Sequence, residues 1–96
     1  MKTAQIKITD PVGLHARPAQ KIISVTSKFK SDCVMIVGGS REINLASIMN
    51  IMTAGVKSGD VVTFKVNGED EDKAFETLIK TVTDTENNQS ALGELV

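Results

Sequence analysis

His15 is the only histidine in the 96 residues, and it stands two places before Arg17 and three before Pro18. An imidazole beside a guanidinium could accept and hold a phosphoryl group. The ring offers a neutral, nucleophilic nitrogen near neutral pH, and the guanidinium offers a forked set of donors suited to phosphate oxygens. The proline indicates where the pair sits. Proline is tolerated in the first turn of a helix, where backbone N–H groups lack intrahelical partners anyway. A helical face of Ala19, Ile22, Ile23 and Thr26 follows it. His15 therefore falls at or just before the cap, beside free N–H groups and the positive end of the helix dipole. Such a place is an anion site, and phosphate is the usual anion.

A second candidate is Ser47, read as the N-cap of a short helix with Gly55 at its C′ position. Ile48, Met49 and Met52 fall within an arc of roughly 100° on that helix, with Ile51 beside them. The default for such a stripe is core, yet two turns already flanked by a sheet cannot easily bury all four. The acidic run at residues 69–72 reads as a solvated first helical turn favoured by the dipole. Cys33 reads as a small apolar filler in a strand.

Composition removes several other chemistries. One cysteine excludes an internal disulfide, and one cysteine with one histidine argues against a structural zinc site. The net charge of -1 gives no basic field for nucleic acid, and the absence of Trp and Tyr removes most stacking platforms. No apolar run approaches membrane-spanning length and no signal-peptide pattern opens the chain, so a cytoplasmic protein is expected. A Walker loop, a kinase signature and a hydrolase triad are all missing.

The elements that must position His15 and Ser47 follow from periodicity. Residues 3–9 alternate as a half-buried strand, and residues 10–13 form a turn into the His15 loop. The first helix is expected over residues 16–28. Residues 33–37 are Val- and Ile-rich and make a strand, joined through Gly38-Gly39-Ser40 to a return strand at residues 41–44. The Ser47 helix comes next, then an alternating strand at residues 61–66, then a last helix striped by Ala74, Phe75, Leu78, Ile79 and Val82. Three helices cannot each find a separate core at this size, so they must cover one face of a four-stranded sheet, an α+β two-layer fold.

Gly13-Leu14-His15-Ala16-Arg17-Pro18-Ala19 resembles the active-site signature of the HPr family, the histidine-containing phosphocarriers of the bacterial phosphoenolpyruvate-dependent sugar phosphotransferase system. Asn44-Leu45-Ala46-Ser47-Ile48-Met49-Asn50-Ile51-Met52 resembles that family's regulatory serine site. The resemblance covers roughly residues 1–84, one domain of the family's size. It implies the family's open-faced β-sandwich, a mainly antiparallel sheet with helices on one side. It also implies that the Nδ1 nitrogen of His15 accepts phosphate from enzyme I and passes it to sugar-specific enzyme IIA proteins. Arg17 would then neutralise the phosphate, with the backbone N–H groups of Ala16 and Arg17 as donors. Ser47 would be a target of HPr kinase/phosphorylase and, when phosphorylated, a ligand of a catabolite-control transcription regulator. Ile51 would point inward, leaving Ile48, Met49 and Met52 as the partner-binding patch. Metal and phosphoenolpyruvate chemistry would belong to the partner enzyme, so the chain is expected to be a monomeric carrier with no cofactor rather than an enzyme. Ala46 stands where the family often has lysine, which is expected to weaken kinase recognition. Residues 85–96 run past the family's usual end. Within them, residues 86–90 read as disordered, and the last apolar residues have no obvious docking site.

Overall fold

Period-two alternation builds the sheet. In the computed structural model, which describes residues 1–84 and 91–96, β1 (Lys2–Ile8) buries Ile6 and Ile8, and β2 (Asp32–Val37) buries Cys33 and Met35. After β3 (Arg41–Asn44), β4 (Val61–Asn67) buries Val62, Phe64 and Val66 while its alternate residues reach the other face. Each inward row is a cross-strand stack: Phe64 stands opposite Ala4 on β1 and Met35 on β2. Three helices cover this face: α1 (Ala16–Thr26), α2 (Ile48–Thr53) and α3 (Glu71–Thr83). Ala19, Ile22 and Val25 from α1, Ile51 from α2, and Ala74, Leu78 and Val82 from α3 close the core. The result is the expected α+β open-faced sandwich.

α1 stops at Thr26, two residues earlier than its apolar pattern suggests. Thr26 is buried, and its hydroxyl donates to the carbonyl of Leu45 at 3.0 Å. This bond satisfies a buried polar group and ties the end of α1 to the link between β3 and α2.

The expected strand count is corrected from four to five. The order is β3-β2-β4-β1-β5, with every neighbouring pair antiparallel, and the added edge is β5 (Gly93–Leu95) from the C-terminal tail. Without it β1 would be an edge strand with unpaired backbone groups. Gly93 makes the approach possible, because a Cβ there would lie 2.5 Å from Ile6 Cγ2 and 2.7 Å from the Lys7 carbonyl. Leu92 is buried just before it, and its N–H donates to the Val82 carbonyl at 2.9 Å. The apolar end of the tail, read as lacking a docking site, therefore docks along β1 and α3. Residues 86–90, the stretch read as disordered, fall within residues 85–90, which lie outside the described residues.

The acidic run is also more than a solvated turn. Glu71 and Asp72 occupy the first turn of α3, but the Asp70 carboxylate makes no cap bond to that helix. It accepts the backbone N–H groups of Lys30 and Ser31, each at 2.9 Å, and the Ser31 hydroxyl. These bonds, the Ser31 hydroxyl foremost and then the Lys30 N–H, hold the Asp70 carboxyl below the usual carboxylate range. A depressed folded-state value means that the stabilisation is present above the unfolded carboxyl's titration and is lost as pH falls through the folded one. Thermal melts taken from about pH 7 down to about pH 3 should show wild type losing stability more steeply than Asp70→Asn. Parallel curves would remove Asp70 from this role. Burial, followed by the charges of Asp32 and Asp70, pushes the Cys33 thiol up, which suits an inert filler of the β2 core row.

Candidate functional site

The loop before α1 places His15 as the N-cap, with φ -100° and ψ -167°. The imidazole makes no cap hydrogen bond, so it is not consumed in holding the helix. Its side chain is 38% exposed, open enough to meet a partner yet in contact with its own loop. Ala16 and Arg17 follow on the surface, while Pro18 and Ala19 are buried. The Ala19 N–H already bonds the His15 carbonyl at 3.0 Å, and Pro18 has none. The unclaimed donors of this first turn are thus the N–H groups of Ala16 and Arg17. No acidic residue lies in the turn to compete for them, and among the described residues Arg17 makes no ion pair. Imidazole, guanidinium and two backbone donors therefore share one exposed helix end.

Two contacts hold the loop. The Leu14 N–H donates to the Val56 carbonyl at 3.2 Å, and Leu14 itself is buried. Gly13, at φ +79°, lies so close to the same segment that a Cβ would fall 2.3 Å from the Val56 oxygen and 3.0 Å from Lys57 Cα. Val56 comes after Ala54 and Gly55, which close the C-terminal end of α2, so the histidine loop is pinned to the exit of the Ser47 helix.

At the other end of α2, Ser47 is the N-cap and its Oγ accepts the Asn50 N–H at 3.4 Å. Ile51 is fully buried. Met49 and Met52 are 63% and 41% exposed, whereas Ile48 is half-buried against the core. The exposed apolar patch thus consists of two methionines, with Ile48 shared between surface and core.

Sequence reasoning missed Asp10, which it assigned only to a turn. Asp10 Oδ1 lies 3.6 Å from His15 Nε2, and the same oxygen accepts the Val12 N–H at 3.0 Å. The available signal was an aspartate two places before a residue in a turn, the pattern of an Asx turn. Among the described residues no group of three His, Cys, Asp or Glu side chains could hold a metal ion, and no helix is long and apolar enough to cross a membrane.

These features define a small open-faced sandwich with a histidine capping its first helix, and comparison with known proteins places that architecture. The PTS-HPr family, described as the PTS HPr component phosphorylation site, matches residues 2–84, so the chain belongs to the HPr family of phosphocarrier proteins. The phosphocarrier protein HPr of Mycoplasma pneumoniae is 41% identical over 78 residues, covering 81% of this chain and 89% of that protein. The HPr of Lysinibacillus sphaericus is 39% identical over 84 residues, covering 88% and 94%. Among solved structures, a mycoplasma histidine-containing phosphocarrier protein superposes with a TM-score of 0.82 at 39% identity, covering 88% of this chain and 94% of that one. An HPr from Thermoanaerobacter tengcongensis superposes with a TM-score of 0.77 at 39% identity, covering 83% and 89%.

Proposed function

We propose that this protein takes a phosphoryl group from enzyme I onto Nδ1 of His15 and hands it to sugar-specific enzyme IIA proteins in the cytoplasm. The observation that carries this reading is the placement of His15. Its ring makes no cap bond to the helix it begins, and it stands beside two N–H donors and an arginine that have no hydrogen-bond or ion-pair partner among the described residues. Phosphoryl transfer onto an imidazole needs little from the acceptor beyond positioning and charge neutralisation. Ala16 and Arg17 supply backbone donors aimed along the helix dipole, and the Arg17 guanidinium supplies a cation free to follow the phosphate. The chain acts as a substrate of the phosphotransferases on either side of it, and works as a monomer without a cofactor. Incubation with phosphoenolpyruvate and an enzyme I should yield one phosphate per chain, lost in acid as a phosphoramidate is. An acid-stable label, or none, would overturn the reading.

Ser47, Met49 and Met52, with the outer edge of Ile48, form the surface on which these partners dock, and phosphorylation of Ser47 by HPr kinase/phosphorylase regulates it. The resulting phosphoprotein is the form read by a catabolite-control transcription regulator. A phosphate on an N-cap serine is favourably placed at the helix terminus, so it adds charge without unfolding α2. Roughly two added negative charges repel an acidic partner and leave the imidazole untouched. Ser47→Asp should therefore weaken enzyme I binding, more so at low salt where screening is poor. Met49→Ala should weaken it equally at both salt concentrations, because it removes contact area rather than charge. Titration of both variants at two ionic strengths is the check, and unchanged affinity in both would return Ser47 to a simple cap.

A further inference from the structure

We propose that Asp10 is a positioning residue for transfer at His15, holding the ring proton on Nε2 so that the lone pair stays on Nδ1. The inference rests on the reading of His15 as the phosphoryl acceptor, and it assigns a role to a residue outside the resembling motif. Asp10 Oδ1 faces His15 Nε2 at 3.6 Å, too long for a hydrogen bond but well within Coulombic reach. A neutral imidazole carries its proton on one nitrogen or the other, and a carboxylate facing one of them favours the tautomer protonated there.

One bond holds the Asp10 carboxylate itself, and backbone bonds fix the residue that carries it. Its Oδ1 accepts the Val12 N–H at 3.0 Å, and the Asp10 carbonyl accepts the Gly13 N–H at 2.9 Å. The Asp10 N–H reaches the Leu92 carbonyl at 3.3 Å, and the same oxygen accepts the Thr9 N–H at 3.0 Å. The C-terminal tail that adds β5 thereby also clamps the start of the histidine loop. The Asp10 side chain is only 18% exposed, so water screens it less than it screens the ring.

The transfer step follows from that placement. The Nδ1 lone pair attacks phosphorus, an N–P bond forms, and the bond from phosphorus to the donor atom breaks with its electron pair returning to the donor. The proton stays on Nε2, so the ring becomes a cation as the phosphoryl group arrives. Asp10 faces that cation, while the phosphate is bound to the other nitrogen, farther from the carboxylate. The charge that develops nearest the carboxylate is therefore the ring's positive one. On the return step the protonated ring is also the better leaving group.

Asp10→Asn tests this, because the amide oxygen still accepts the Val12 N–H while the charge is gone. Imidazole 15N shifts at alkaline pH, where the ring is neutral, should move toward the Nδ1–H tautomer. With phosphoenolpyruvate and enzyme I, kcat for phosphorylation should fall about three- to fivefold, the size expected for a partly exposed charge pair. KM should stay unchanged, since Asp10 does not touch the donor. Unchanged 15N shifts would overturn the proposal. So would a rise in KM at constant kcat, which would make Asp10 a docking residue. A wild type that takes no phosphate would overturn the phosphocarrier reading and this step together. It is told apart by the missing label in the wild-type lane rather than by any difference between variants.

Discussion

His15→Ala is expected to fold like the wild type and to accept no acid-labile phosphate from enzyme I. The loss is total because no second imidazole exists in the chain to take over. Folding is spared because the ring makes no cap bond and its side chain is 38% exposed. Helix stability at this terminus comes instead from buried Pro18 and Ala19 and from the backbone bond between Ala19 and His15. The stability change should therefore stay within about 0.5 kcal/mol, the range of a surface substitution. Labelled phosphoenolpyruvate followed by acid treatment gives the first readout, and a thermal melt gives the second. A retained acid-labile label would move the acceptor elsewhere. A collapsed melt would mean that the histidine holds the loop rather than being held by it.

Gly13→Ala carries the largest expected cost in stability. The residue lies in the left-handed region at φ +79°, which charges a non-glycine residue about 1–2 kcal/mol. A methyl there would also fall 2.3 Å from the Val56 carbonyl oxygen, and backbone cannot swing aside as a flexible side chain can. To make room, the loop must move off Val56 and surrender the Leu14 hydrogen bond, for a combined loss of about 2–4 kcal/mol. In a domain of this size that lowers Tm by roughly 10–20 °C. Gly39 provides the control: its φ is +83°, but a Cβ there meets nothing within 4 Å. Gly39→Ala should lose only the conformational part. Because the loop carries His15, Gly13→Ala should also slow phosphorylation below the melting transition, whereas Gly39→Ala should not. Equal melting shifts in the two variants would show that the contact with Val56 contributes nothing.

The local features of this protein were legible because each depends on residues close together in sequence. Alternation in β1 and β4, the helical stripes of α1 and α3, and the caps of α2 repeat over a few residues, and the structure keeps them. His15 at the start of a helix followed from Pro18 and the apolar helical face just after it. That α2 cannot bury its whole apolar stripe followed from the limited area of two turns, but which residues stay outside came from the family resemblance, and Ile48, contrary to it, is half-buried.

What tertiary structure alone decided is a set of partners far apart in the chain. β5 has three residues, too few for a periodic signal, and becomes a strand only because β1 offers an unpaired edge and Gly93 fits against Ile6. Asp70 looked like a helix-start carboxylate, but it turns to Lys30 and Ser31 because two backbone donors and a hydroxyl outbid one helical turn. Asp10 read as a turn residue, and its approach to His15 depends on how the Gly13 loop is pressed against Val56 and clamped by Leu92. Sequence by itself thus determined every element except β5 and which side chain could carry phosphate, since propensity, capping and periodicity act within a turn or two. Sheet order and the charges around His15 were decided by tertiary contacts, since they depend on which distant backbone groups pair once the core has closed.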